Sequence, residues 1–240
     1  MSLAPAVLLA ALAFGAVTGD GRAYGEMDAL YFHRDEPGKL QASIELLEAG
    51  LKGAARDPEL LWRLGRSEMR LGETQSDRRT KGATFSRAED HLRESVRLAP
   101  RVAVAHFWLG ALFGREAQLR GPARSLFLIG PLKKEMRAVL EIEPNYGGAH
   151  QILGQLYSQL PRVLGGGRRK SLAEFELALE QSPDYAQNYA PLAQAYVAAG
   201  EKEKARAVLE RLFALKETSD PAALPEELKR GRELESQLKQ

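Results

Sequence analysis

The chain has 240 residues, 44% of them apolar and 28% charged, with 34 basic and 32 acidic side chains and no cysteine. That length and mix suit a soluble globular protein built as one solenoid or as one to two ordinary domains. The near-cancelling charge argues against a nucleic-acid binder, and the missing cysteine excludes disulfides, thiol catalysis, thiolate metal sites and a lipobox anchor.

Residues 4–18, APAVLLAALAFGAVT, form an apolar run with small residues after it. The run is too short for a comfortable membrane span. It has the core of a secretory signal, with small-residue cleavage positions near Gly19 or Ala23, yet no Lys or Arg precedes Arg22. The competing reading is a first helix that caps the core. Residues 28–34 read as a short helix, and Asp35-Glu36-Pro37-Gly38 as its turn. Residues 39–55 are a well-patterned helix carrying Ile44, Leu47 and Leu51, closed by Asp57-Pro58. Residues 59–71 carry Trp62 and Leu64-Gly65 on the next helix. The stretch 72–86, GETQSDRRTKGATFS, is polar and long for a helix–helix turn. Helix resumes over 87–98 and stops at Ala99-Pro100.

Residues 102–118 are helical, with Leu109-Gly110 and Phe113. Gly121-Pro122 and Gly130-Pro131 interrupt over 120–131, and 133–142 return as helix until Pro144. Residues 149–159 begin the next pair. LPRVLGGGRR over 160–169 is its insert, and a second helix ends at Pro183. The last pair, from Asn188 to Lys216, has the short turn Gly200-Glu201-Lys202. The tail from 222 onward is a charged amphipathic helix with Leu224, Leu228 and Leu234 on one side.

Leu153-Gly154 and Tyr157, then Phe175, Ala178 and Pro183, are spaced as in a tetratricopeptide (TPR) unit, two antiparallel helices of about 34 residues. The glycine lets the partner helix approach, and the proline ends the unit. The recurrence of this pattern predicts an all-α fold, a TPR-type α-solenoid of helix–turn–helix repeats over 24–218 with long loops inside the repeats. The apolar segment 1–23 precedes it and a C-terminal capping helix over 219–240 closes it.

In such a stack the first helix of each unit builds the inner surface. By register, Trp62, Arg66, Met69, Arg70, Phe107, Ala111, Gln151, Gln155, Gln159 and Gln194 face it, a mixture suited to a small ligand or a docked partner segment. The bland alternative is that Trp62 and Phe107 are inter-helix packing. The chaperone-tail clamp of Lys and Asn is missing, so that mode is not expected. The lengthened connections are rich in cations: Arg78, Arg79, Lys81 and Arg87; Arg115, Arg120, Arg124 and Lys133; Arg162, Arg168, Arg169 and Lys170. Equivalent loops of a solenoid line up, so one basic rim is predicted, for an anionic ligand, a phospholipid surface or an acidic partner. Solvation alone also explains such loops.

His106 and His150 occupy matching positions in successive units, but with no third ligand they read as packing residues rather than a metal site. His33 and His91 have no partner that spacing identifies. Gly165-Gly166-Gly167-Arg168-Arg169-Lys170-Ser171 precedes a helix but lacks the spacing of a phosphate-binding loop, so it reads as a turn or a non-specific anion site. No nucleophile elbow, HExxH, paired-carboxylate cleft or kinase signature is present. The expectation is a binding protein, with no catalytic residue, no metal and no cofactor. A partner protein is expected, a small ligand and homo-oligomerisation stay open, and no nucleic acid or transmembrane span is expected.

AHQILGQLY, then LPRVLGGGRRKSLAEFELALEQSPDY, resembles the T-component family of TRAP transporters, as does FHRDEPGKLQASIELLEAG followed by LLWRLGR. The regulator of microtubule dynamics proteins share much of this pattern, including the Ala-His before Leu-Gly. The first resemblance implies an exported, periplasmic α-helical protein that associates with a transporter's substrate-binding protein, with a cavity lined by inner helices. The alternative is a cytoplasmic scaffold that recruits a peptide or helix.

Overall fold

The computed structural model describes residues 24–239; the apolar run 4–18 lies outside the described residues. Cα packing divides the chain after Pro144 into two compact units. Among the described residues there are eleven α-helices and no strand. The N-terminal unit holds α1 (Gly25–Phe32), α2 (Lys39–Gly53), α3 (Pro58–Thr74), α4 (Arg78–Leu98), α5 (Ala103–Arg120) and α6 (Pro122–Ile142). The C-terminal unit holds α7 (Gly147–Gln159), α8 (Arg168–Gln181), α9 (Tyr189–Ala199), α10 (Lys202–Phe213) and α11 (Leu224–Leu238).

The helices pair in chain order, α1 with α2, α3 with α4, α5 with α6, α7 with α8 and α9 with α10. The α3–α4, α5–α6 and α7–α8 pairs close on the Leu-Gly of their first helix. A Cβ on Gly65 would lie 2.5 Å from Leu92, on Gly110 2.3 Å from Met136, and on Gly154 2.6 Å from Phe175. Their absence lets the second helix seat its large side chain against the first. Asp57 starts α3: its Oδ1 accepts from the Glu59 amide at 2.8 Å, and Pro58 takes the first position, where its missing N–H costs nothing.

Two of the three expected long loops are helix instead. Most of 72–86 belongs to α3 and α4, leaving only residues 75–77 as the turn. Asp77 caps α4 by accepting from the Thr80 amide at 2.7 Å, and Thr84 and Phe85 are buried, so tertiary packing wins over a polar composition. Over 120–131 the turn is the single residue Gly121, whose φ of 80° suits glycine. Pro122 sits in the first turn of α6, and Pro131 lies inside the helix. Pro131 removes a hydrogen bond at a cost of about 3 kcal/mol. The helix continues because Leu132, Met136 and Val139 are fully buried beyond it.

The third connection, 160–167, is a loop as expected, and a rigid one. The amides of Gly165, Gly166 and Gly167 donate to the carbonyls of Arg162, Pro161 and Tyr157. A Cβ on Gly166 would meet the Leu160 carbonyl oxygen at 1.9 Å, so that position has room for glycine alone. Those amides are committed to the turn itself. Around Phe175, Leu179, Leu192, Tyr196, Leu209 and Leu212 lies the core of the C-terminal unit, and α11 packs on it through Leu238 with Leu224, Leu228 and Leu234 half-buried.

Candidate functional site

One face of the N-terminal unit concentrates the chemistry. It starts with α3, where Arg63, Arg66 and Arg70 follow at helical spacing and share a side. Each guanidinium lies over aromatic rings. Arg63 is 4.4 Å from the Tyr24 ring centre and 4.2 Å from that of Trp62; Arg66 is 3.5 Å from Tyr31; Arg70 is 5.5 Å from Trp108. Tyr31 comes from α1 and Trp108 from α5, and their rings meet edge-on at 6.4 Å. So three first helices converge on one aromatic and cationic cluster.

Carboxylates order the arginines. Asp28 on α1 takes Arg63 at 3.0 Å and Arg66 at 2.7 Å. Glu73 at the end of α3 takes Arg70 at 2.9 Å and Arg115 of α5 at 2.5 Å. Glu59 holds Arg63 at 2.7 Å and accepts from the Trp62 indole at 3.0 Å. Burial alone would raise the Asp28 and Glu73 carboxyls, yet the adjacent arginines hold both below their ordinary values. Burial works against Arg66, lowering its guanidinium from its usual range, while Asp28 offsets part of that. Such pairs cost desolvation on both sides, so their worth lies more in orienting α1 and α5 against α3 than in net stability.

Of the expected inner-face residues, Trp62, Arg66 and Arg70 belong to this cluster. Phe107 is buried with its ring 5.1 Å from Trp108, and Met69 is 1% exposed, inside the packing. Gln151 and Gln155 are half-buried on α7 and Gln194 is exposed on α9, both helices of the other unit. Asp28, Tyr31, Arg63 and Trp108 are among the members that register did not identify, as are Tyr24, Glu59 and Glu73. Trp108 follows Phe107 directly and was recoverable as its neighbour; α1 gave no comparable signal.

The basic residues fall in both units. Arg78 donates to the Leu119 carbonyl, which puts the α3–α4 and α5–α6 turns at one end of the unit. Arg79 is exposed beside it, Arg120 pairs with Glu116 at 2.7 Å, and the Arg124 side chain lies outside the described ones. In the C-terminal unit Arg162 and Arg169 are exposed, Arg168 donates to the Ala198 carbonyl at 3.4 Å, and Lys170 to that of Gly165 at 3.2 Å.

All four histidines bond glutamates, which supplies the partners that spacing left open for His33 and His91. His33 is 3.1 Å from Glu36 and His91 is 2.8 Å from Glu68. His106 is 2.6 Å from Glu135 and His150 is 2.7 Å from Glu174, each across a helix pair. Among the described residues no three potential ligands gather to hold a metal ion. No described helix is long and apolar enough to cross a membrane.

Comparison with known proteins fits this architecture. A family model described as regulator of microtubule dynamics protein 1-3 matches residues 24–161, and a tetratricopeptide-repeat model matches 169–224. The crystal structure of a thermophilic TPR protein, TTC0263 of Thermus thermophilus, is 21% identical, covers 85% of this chain and 92% of its own, and superposes with a TM-score of 0.65. MamA from Desulfovibrio magneticus RS-1, residues 41 to its end, is 17% identical over 80% of this chain and 96% of its own, with a TM-score of 0.50. No curated protein matches the chain. The likenesses show a TPR-type helical solenoid fold; a T-component relationship is not among them.

Proposed function

The chain belongs to the regulator of microtubule dynamics protein 1-3 family, and from that premise we propose that it is a non-enzymatic adaptor that recruits a partner protein on the face built by α1, α3 and α5. The observation that carries this reading is the arginine stripe Arg63-Arg66-Arg70, stacked on Tyr24, Trp62, Tyr31 and Trp108. Tryptophan, tyrosine and arginine side chains are enriched in binding hot spots. Preordering by Asp28 and Glu73 reduces what a partner has to immobilise.

A photo-crosslinking residue placed at Gln118, exposed on α5 two turns beyond Ala111, tests the face in cells. Controls go at Arg97 and Arg137, exposed on the second helices α4 and α6. One partner captured at Gln118 and at neither control is expected. Equal capture at all three positions rejects the face.

A further inference from the structure

Two donors in this cluster have no acceptor. Arg66 Nε and Trp108 Nε1 are each buried and make no hydrogen bond within the protein. Their residues are 5% and 6% exposed. A buried unmade donor is costly, and native proteins rarely tolerate two in one cluster without a use for them. The other indole of the chain shows the usual outcome, since Trp62 Nε1 donates to Glu59 at 3.0 Å.

The charges around the donors define what they would take. Four guanidiniums, of Arg63, Arg66, Arg70 and Arg115, face three carboxylates, Asp28, Glu59 and Glu73. An anionic acceptor restores the balance. Arg70 is the group above Trp108, and its tie to the Tyr31 hydroxyl is long, at 3.3 Å. Arg115, with its side chain 41% exposed, is the most exposed of the four.

We propose that this cluster is a carboxylate-reading site: an acidic segment of the partner inserts a Glu or Asp side chain between Arg70 and Tyr31, where its oxygens take the Trp108 indole and Arg66 donors. This rests on the adaptor reading and names the chemical class of its partner. The partner's side chain stays unmodified; only hydrogen bonds and ion pairs exchange.

The chain has two tryptophans, so its indole N–H region holds two resonances. In the ¹⁵N-labelled full chain, assigned with Trp62→Phe and Trp108→Phe, hexaglutamate peptide is titrated against hexaglutamine and inorganic phosphate. The expected result is a downfield shift of Trp108 Nε1–H with hexaglutamate alone, weakened by salt, while Trp62 holds still. Replacing Trp108 by 3-benzothienylalanine keeps the ring shape and removes the donor. It is expected to lower hexaglutamate affinity by roughly tenfold or more with the helical signal intact. A Trp108 resonance unmoved by hexaglutamate, an equal shift with hexaglutamine or phosphate, or full affinity in the benzothienyl variant overturns the proposal. Capture at Gln118 together with any of those results leaves the adaptor reading standing and removes this one; loss of selective capture at Gln118 removes the reading on which it rests.

Discussion

At the scale of single residues, His106 shows how a helix pair uses a titratable group. Its Nδ1 faces Glu135 at 2.6 Å and its Nε2 faces the Pro100 carbonyl at 3.1 Å, so both ring nitrogens meet acceptors. Only the protonated ring donates from both positions. Burial alone would lower the imidazole, but the hydrogen bonds to Glu135 and to Pro100 outweigh it and raise it above its ordinary value, against the opposing charge of Lys134. A raised folded-state value means that the protonated ring stabilises the fold fully below the unfolded value of about 6.5. That stabilisation disappears as pH rises through the folded value. The melting temperature should therefore fall between mildly acidic and mildly alkaline pH by more in the unmodified protein than in His106→Gln. Parallel slopes for the two proteins would show that the imidazole stays neutral. His91 and His150 remain in the variant, which isolates the α5–α6 contribution.

At the scale of elements, the Leu-Gly pairs were legible because their constraint is local: one small residue on a helical face and a proline about one repeat later. What they meet was not legible, and it grades their cost. A Cβ on Gly110 would strike the terminal methyl of Met136, the far end of a flexible side chain. On Gly154 it would strike the Phe175 ring at 2.6 Å, and on Gly65 it would lie 2.5 Å from the branch carbon of Leu92 and 3.0 Å from the Ala88 carbonyl. Alanine gains about 1 kcal/mol of helix propensity over glycine, while overpacking costs about 1–3 kcal/mol. Gly110→Ala should be near neutral, whereas Gly65→Ala and Gly154→Ala should each destabilise by about 1–2 kcal/mol in urea unfolding. A reversed ranking would mean that the helix pairs relax freely. The two lost loops mark the opposite limit: the polar run 72–86 hid Phe85, and Gly130-Pro131 hid the continuous helix that buries Leu132, each covered by its paired helix. The candidate site was legible only in part. Arg66 and Arg70 could be placed by register, but Asp28 and Tyr31 sit on an eight-residue helix with only Met27 and Tyr31 buried, fixed by ion pairs to residues more than thirty positions away.

At the scale of the whole molecule, a repeat fold must end on something. Stability in such folds is a sum of contributions within units and between neighbours, so a terminal apolar face is exposed unless a cap covers it. The charged tail was legible as that cap from its leucine spacing, and α11 performs it. Leu238 is 4% exposed against the core that includes Val208, Leu209 and Leu212. Gly231 admits Leu212 so closely that a Cβ would stand 2.8 Å away. The Arg206 guanidinium donates to the Leu238 carbonyl at 3.2 Å, holding the last turn down. Leu238→Ala removes one buried leucine and should cost about 2–5 kcal/mol. Deleting residues 219–240 strips the cover from α9 and α10 and leaves a contiguous apolar patch, which proteins hide by associating. The truncated chain should melt at lower temperature and elute as an oligomer in size-exclusion chromatography with light scattering. Trp108 belongs to the other unit, with its own core, so its indole resonance should keep its position after the same deletion. A monomer with an unchanged melting temperature would mean that α9 and α10 bury their faces without α11, and a displaced Trp108 resonance would mean that the effect of the deletion is not confined to the unit that carries the cap.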